Sequence, residues 1–120
     1  MQDDWTRWEP ITKLNSKYYI DAIEENINSG LTVQLSTEEG ERITINWDGI
    51  VESYTCSEES ARSILYQKSE LRNWTFFKLK NSKYLEWIFE QSIGILQNNE
   101  LYHFCIVGIN SVLDVIAGYE

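Results

Sequence analysis

The sequence predicts an α+β domain with a mainly antiparallel sheet and two or three short helices packed on it. The main indication is a pair of segments, 31–36 and 42–47, in which apolar and polar residues alternate with the period of a β-strand. Later segments place apolar residues at helical spacing behind residues that can cap a helix. With 120 residues the chain is long enough to bury one core, so we expect a single globular domain over residues 1–120.

The first part of the chain gives weaker signals. Residues 1–16 contain Pro10, which disfavours helix at the residue before it, and we expect them to form an irregular arm. Residues 18–26 combine β-branched and aromatic side chains suited to a strand, although a short helix over 22–26 fits almost equally well.

The two alternating segments predict an antiparallel hairpin, joined by a short turn that contains Gly40. Their apolar residues are Leu31, Val33, Leu35, Ile43, Ile45 and Trp47. The dipeptide Asp48-Gly49 then tolerates positive φ, so the chain is expected to reverse again into a strand over 50–55. The result would be a three-stranded meander, or a four-stranded one if residues 18–26 join it.

Ser57 is predicted to cap a helix. Its hydroxyl can accept a hydrogen bond from a free backbone N–H, and Glu58 and Glu59 would face the positive end of the helix dipole. Apolar residues at three-and-four spacing carry this amphipathic helix to about residue 68. Residues 69–73 are expected to form a polar link.

An aromatic-rich stretch, WTFFKLKNSKYLEWIFEQSIG from Trp74 to Gly94, predicts a strand over 74–80 followed by a helix. Asn81 or Ser82 can cap this helix, and Gly94 ends it. The rings fall at positions that a strand and a sheet-packing helix bury, and burial of one ring stabilises a fold by about 1.5–3 kcal/mol. We therefore predict that these rings belong to the core and do not form a ligand site.

The last part of the chain predicts a strand over 101–107. Ser111–Ala117 fits either a final strand or one helical turn, and its periodicity does not separate the two. No internal repeat or linker divides these elements.

The net charge of −9 is unevenly placed along the chain. Residues 1–60 carry thirteen carboxylates against four Lys and Arg, whereas residues 61–120 carry six of each. A negative field repels phosphate backbones, which argues against nucleic-acid binding, and it speeds encounter with a basic partner. The alternative is that the acidic surface only keeps the protein dissolved.

Few residues could support catalysis. His103 is the one histidine, Cys56 and Cys105 lack the spacing of a zinc site, and the six glycines form no phosphate-binding loop, so no metal or cofactor is predicted. On a strand His103 and Cys105 would share a face, but residues two apart lie about 6–7 Å from each other, too far for a nucleophile and its base. We expect a structural histidine, two reduced and buried cysteines, and no enzyme.

Signals for membrane insertion or export are missing from the sequence. No apolar run approaches the ~18 residues that a membrane span requires. The acidic segment Met1–Glu9 lacks the basic start and apolar stretch of an export signal. A cytoplasmic location without membrane contact is the expectation.

Several motifs follow one another in order between residues 18 and 116. The most specific is W-x-F-F-x-(V/L)-x-N-S-x-Y-(L)-x-W followed by E-Q-S-x-G, which spans Trp74 to Gly94. The others are Ser29-Gly30-Leu31-Thr32-Val33, Trp47-Asp48-Gly49, Tyr54, Ser57–Arg62 and Tyr102-His103-Phe104. Together they resemble a group of small, mostly Gram-positive bacterial proteins that act as immunity proteins beside polymorphic or contact-dependent toxins.

The resemblance implies an inhibitor without chemistry of its own, which covers the active site of a cognate toxin, frequently a nuclease with a basic cleft. The charge agrees, because an acidic surface steers association with such a partner. The candidate partner-binding residues are Glu38, Glu39, Glu41, Asp48, Glu52, Glu58 and Glu59. Two alternatives stay open: a small structural or phage-derived interaction protein, and an enzyme that depends on Cys105 and His103.

Overall fold

The computed structural model describes residues 5–27, 30–49, 51–68, 71, 73–93, 95–96 and 100–118. These residues form strands β1 (Trp5–Arg7), β2 (Tyr19–Asn26), β3 (Gly30–Ser36), β4 (Arg42–Trp47), β5 (Val51–Glu58), β6 (Phe76–Leu79), β7 (Tyr102–Val107) and β8 (Ser111–Ala117). They also form a 3-10 turn (Glu59–Arg62) and helices α1 (Ser63–Tyr66) and α2 (Lys83–Gln91). None of the helices in the described ranges has the length and apolar character needed to cross a membrane.

The strands form two antiparallel sheets. One has five strands in the order β1-β6-β7-β8-β5, and the other has three in the order β2-β3-β4. The mainly antiparallel α+β fold is thereby confirmed in outline. The prediction of two or three helices is not confirmed, because α2 is the one helix longer than a single turn among the described residues.

The two sheets pack face to face around an aromatic core. The ring centroids of Trp47 and Phe104 are 5.7 Å apart, and those of Trp8 and Phe104 are 4.8 Å apart. Phe76 and Tyr18 complete this cluster and are fully buried. Most rings of the 74–94 stretch are buried or partly buried, as predicted, and Trp87 on α2 is the exception at 51 % exposed.

The other face of the five-stranded sheet is covered by the helical segments. Phe77 and Leu79 pack there with Leu65 of α1, while Leu85 and Ile88 of α2 cover Ile116. The capping of α2 is confirmed for one of the two predicted residues. Ser82 Oγ accepts a hydrogen bond from the backbone N–H of Leu85 at 3.1 Å. Gly94, the predicted end of this helix, lies outside the described residues.

The prediction of a meander is partly wrong. The hairpin of β3 and β4 is present, and residues 18–26 add β2 to it as a strand. After Asp48-Gly49, however, the chain crosses to the other sheet, where β5 pairs with β8. Alternation indicates that a segment is a strand but does not identify the strand with which it pairs. Strand β8 is buried at nearly every position, so it lies inside the sheet with a strand on each edge, and β5 is one of these two strands. The strand alternative for Ser111–Ala117 is therefore confirmed.

The helix start at Ser57 is wrong. Strand β5 continues to Glu58, which pairs with Ser111, and the next backbone N–H, that of Glu59, donates to the carbonyl of Asn110 at 3.1 Å. The backbone N–H of Glu59, which the Ser57 hydroxyl was predicted to bond, is therefore already bonded within the sheet. No side chain caps the 3-10 turn that follows.

The N-terminal segment is more ordered than predicted. Trp5–Arg7 pairs with β6, and Trp8 lies buried in the core, while residues 9–16 are irregular as expected. Burial of the Trp8 ring explains the difference, because it anchors the segment to the sheet. One cysteine also differs from expectation: Cys105 is buried, but Cys56 on β5 is exposed.

Candidate functional site

Strands β2 and β5, which belong to different sheets, lie side by side along one side of the sandwich. Asn110, in the turn between β7 and β8, accepts a hydrogen bond from the N–H of Ile20 at 2.9 Å and donates to its carbonyl at 3.0 Å. The carbonyl of the same Asn110 accepts from Glu59, directly after β5. At the other end the Tyr54 hydroxyl donates to the Glu25 carboxylate at 3.4 Å. The start of β2 therefore lies near the end of β5, and the reverse holds at the opposite end.

This side of the molecule carries acidic side chains from both strands. They are Asp21, Glu24 and Glu25 from β2, Glu52 and Glu58 from β5, and Glu59 directly after β5. Neither strand contains Lys or Arg. Glu52 is partly exposed and the other five are exposed. We call these six residues the acidic side.

The two strands at the other edge of the five-stranded sheet carry basic residues. Strands β1 and β6 contain Arg7 and Lys78 and no carboxylate. The Arg7 guanidinium lies over the Trp74 ring, 5.6 Å from its centroid, and the Lys78 ammonium lies 4.0 Å from the centroid of Tyr102. Within the described ranges, ion pairs form only at the buried Asp114, so the acidic side is not neutralised by described Lys or Arg residues.

The seven carboxylates predicted from the sequence fall into three places. Glu52, Glu58 and Glu59 belong to the acidic side. The β3–β4 turn, at the end of the sandwich where β2 begins, contains Glu38, Glu39 and Glu41. The first two line a groove there with Lys17 and Ile109. The carboxylate of Glu41 accepts a hydrogen bond from the side chain of Asn15 at 2.9 Å. Asp48 lies at the other end, in a groove with Glu25 and Val51. Strand β4 separates the turn from Asp48 by about 20 Å at ~3.3 Å per residue.

Asp21, Glu24 and Glu25 were not among the predicted residues. Their role in the surface depends on β2 lying beside β5, which is a contact between distant parts of the chain. One local signal could have suggested them, namely that the segment YIDAIEEN has three carboxylates and no Lys or Arg.

A second polar cluster is buried beneath α2. His103 Nε2 lies 2.6 Å from one oxygen of Asp114, and Arg62 donates to the other oxygen at 2.6 Å. His103 Nδ1 lies 2.8 Å from Ser82 Oγ. Burial acts to raise the pKa of Asp114, but the hydrogen bond and electrostatic interaction with His103, together with those of the Arg62 guanidinium, outweigh it, so this pKa lies below its usual value.

The hydrogen-bonded series Ser82, His103 and Asp114 has the residue types of a hydrolase triad, yet the three residues are 0 %, 4 % and 3 % exposed. Ser82 Oγ is also taken by the backbone N–H of Leu85. A substrate cannot reach this serine without displacing α2. The arrangement instead ties the start of α2, strands β7 and β8, and the 3-10 turn to one another.

The same cluster brings His103 and Cys105 closer than the sequence predicted. The ligand atoms of His103, Cys105 and Asp114 all lie within 4.8 Å of one another, and Asp114 is the residue opposite Cys105 on the neighbouring strand. Such a set could hold a divalent cation. Here a cation would have to break the hydrogen bond between His103 and Asp114 and lie beside the Arg62 guanidinium, so we do not propose a metal site.

Comparison of the chain with protein-family models, with curated proteins and with solved structures finds no match. The resemblance to immunity proteins thus stays a prediction from the sequence.

Proposed function

We propose that this protein is an inhibitor of the immunity type, which binds a basic cognate toxin domain through the acidic side and thereby covers the active site of that toxin. The observation that carries the proposal is that β2 and β5, which lie near each other in different sheets, contain five carboxylates and no Lys or Arg, and that Glu59 directly after β5 adds a sixth. In the fold, six of the thirteen carboxylates among residues 1–60 lie on this side of the molecule.

This distribution suits recognition of a cationic surface. Carboxylates of one sign on adjacent strands add their potentials, which raises the rate of productive encounter with a basic partner and disfavours acidic competitors. The side chains project from a sheet packed on an aromatic core, so little backbone ordering is needed on binding. The Glu38, Glu39 and Glu41 turn extends the negative surface around one end.

An enzyme is the weaker candidate on the same evidence. Its proposed residues, His103 and Cys105, are buried, and the hydrogen bonds of His103 lead to Asp114 and Ser82, which are buried as well. Cys56 is exposed, but neighbouring atoms shield its thiol from part of the solvent. This desolvation is the main cause that raises the pKa of the thiol, and the raised pKa reduces its reactivity.

The proposal predicts that charge reversal on the acidic side abolishes protection. It also predicts that a toxin gene lies beside this gene. Cells that produce that toxin domain should grow when the wild-type protein is co-produced, and should stop growing when it carries Glu24→Lys and Glu25→Lys. The association rate of the purified proteins at low salt should fall at least about tenfold in this variant, and wild-type association should slow as salt is raised.

The matched control carries Glu86→Lys and Glu90→Lys, two exposed positions on α2 that give the same change in net charge. This variant should protect cells, and its association rate should lie within about threefold of the wild-type rate, because exposed charges outside the interface interact only weakly with the partner. A triple reversal of Glu38, Glu39 and Glu41 tests the turn in the same way. Equal association rates for the acidic-side variant and the α2 control would contradict the proposed surface, and absence of any protection by the wild type would contradict the proposed function.

A further inference from the structure

Strand β5 is an edge strand with an unusual free edge. In the described ranges it pairs with β8 alone, and the other edge strands are β1, β2 and β4. Strand β1 has three residues, β2 carries three carboxylates and an irregularity between Ile20 and Ala22, and β4 begins with a cation, Arg42. Charges, bulges and shortness are the devices that protect edges from pairing.

The centre of β5 has none of these devices. Residues 53–57 read Ser-Tyr-Thr-Cys-Ser, and all five are uncharged. Thr55 and Cys56 are exposed, while the carboxylates of Glu52 and Glu58 stand at the two ends. Strand β5 has an irregularity of its own, but it lies near the start of the strand, between Val51 and Ser53. The strand therefore offers a regular edge over residues 53–58, with a neutral centre and a carboxylate at or next to each end.

The register shows which backbone groups point to this free edge. In an antiparallel pair, opposite residues alternate between exchanging hydrogen bonds and pointing away. Glu59 donates to Asn110, so residues two, four and six positions earlier also bond across to β8. The hydrogen bonds of β8 give the same assignment. The N–H of Gly108 donates to the carbonyl of Ser111 at 2.9 Å, so the odd-numbered residues of β8 bond to β7 and its even-numbered residues bond to β5. The N–H and C=O groups of Tyr54, Cys56 and Glu58 consequently face outward.

We propose that the partner binds by adding an extended basic segment to the free edge of β5, with main-chain hydrogen bonds to Tyr54, Cys56 and Glu58. This inference rests on the proposed function and specifies how the acidic side is used. Edge addition supplies affinity through the backbone, and side chains at alternate positions supply specificity. A second copy of this chain fits poorly, because antiparallel pairing of β5 with itself about its centre would bring Glu52 of one copy toward Glu58 of the other.

The first test replaces Cys56 by proline. The change removes an outward N–H that bonds to nothing in β8, and edge positions of this kind tolerate proline. We expect the variant to unfold at nearly the same urea concentration as the wild type but to bind the toxin domain at least tenfold more weakly. Cys56→Val, which keeps the N–H, is the matched control and should bind within about threefold of the wild type.

The second test uses the wild-type protein and does not depend on the folding of a variant. In the complex, amide hydrogen exchange of Tyr54, Cys56 and Glu58 should slow at least tenfold, while the amides of Thr55 and Ser57, already bonded to β8, should change little. Alkylation of Cys56 by N-ethylmaleimide should slow as well, with the buried Cys105 unreactive throughout.

The outcomes separate the two proposals. A complex that is sensitive to reversal of Glu24 and Glu25, but in which Cys56→Pro binds as tightly as Cys56→Val and the outward amides are not protected, overturns strand addition and leaves the proposed function standing. Failure of the wild-type protein to bind that toxin domain overturns both.

Discussion

Replacement of Asp114 by alanine is expected to lower the free energy of unfolding by about 3 kcal/mol, because it removes the shared partner of two buried side chains. His103 Nε2 and the Arg62 guanidinium each lie 2.6 Å from an oxygen of this carboxylate. We use the lower end of the usual loss of about 3–5 kcal/mol for breaking a buried ion pair. The reason is that the Arg62 side chain is 30 % exposed, so water can solvate its charge when the carboxylate is removed. The measurement is equilibrium unfolding in urea, followed by tryptophan fluorescence.

The effect of Asp114 should also depend on pH in a defined direction. The folded-state pKa lies below the usual value of about 3.9, so the contribution of the carboxylate is complete above that pH and is lost as the pH falls through the folded-state pKa. The difference in unfolding free energy between the wild type and Asp114→Asn should therefore shrink below about pH 4.

The matched control for this prediction is Asp48→Ala, at an exposed carboxylate. It should change the free energy of unfolding by no more than about 0.5 kcal/mol. If Asp114→Ala were no more destabilised than this control, the buried network could not be what ties α2 and the 3-10 turn to the sheet.

Local pattern predicted the parts of the fold that depend on neighbours in sequence. The hairpin of β3 and β4 follows from strict alternation on both sides of a turn, and the cap at Ser82 follows from a hydroxyl placed directly before an apolar helix. The choice between strand and helix at Ser111–Ala117 needed more, because seven apolar-rich residues fit both periods. Its answer comes from pairing on both edges, with β7 and with β5.

The candidate site could be predicted only in part, since it is made by contacts between distant segments. The acidic residues near β5 were found from the charge excess, but Glu24 and Glu25 join them only because the end of β2 lies near β5 of the other sheet. The buried network is likewise nonlocal, because Arg62 and Asp114 are 52 residues apart. Residue type and spacing do not indicate that distant polar side chains will meet.

Replacement of Gly30 by alanine should be among the most destabilising single changes in the described chain. Gly30 begins β3 with φ +91°, a conformation that costs L-residues roughly 1–2 kcal/mol. In addition, a Cβ at this position would lie 1.7 Å from the carbonyl oxygen of Trp47 and 3.3 Å from that of Gly49, which are backbone atoms with little room to move. Strain and overlap together should lower the free energy of unfolding by about 3–5 kcal/mol.

Gly40→Ala separates the two causes. Gly40 has φ +90° in the β3–β4 turn, and a Cβ there would meet no atom within 4 Å, so the variant should lose only the conformational part, roughly 1–2 kcal/mol. Equal losses in the two variants, measured by urea unfolding, would show that the backbone around Trp47 yields freely and that the close approach is unimportant. A larger loss for Gly30→Ala would show that this approach holds the start of β3 against the end of β4. Because β2 pairs with β3 along its whole length, the same contact sets where the carboxylates of β2 lie relative to β5, and a Gly30→Ala protein that still folds should associate with a basic toxin domain more slowly than Gly40→Ala.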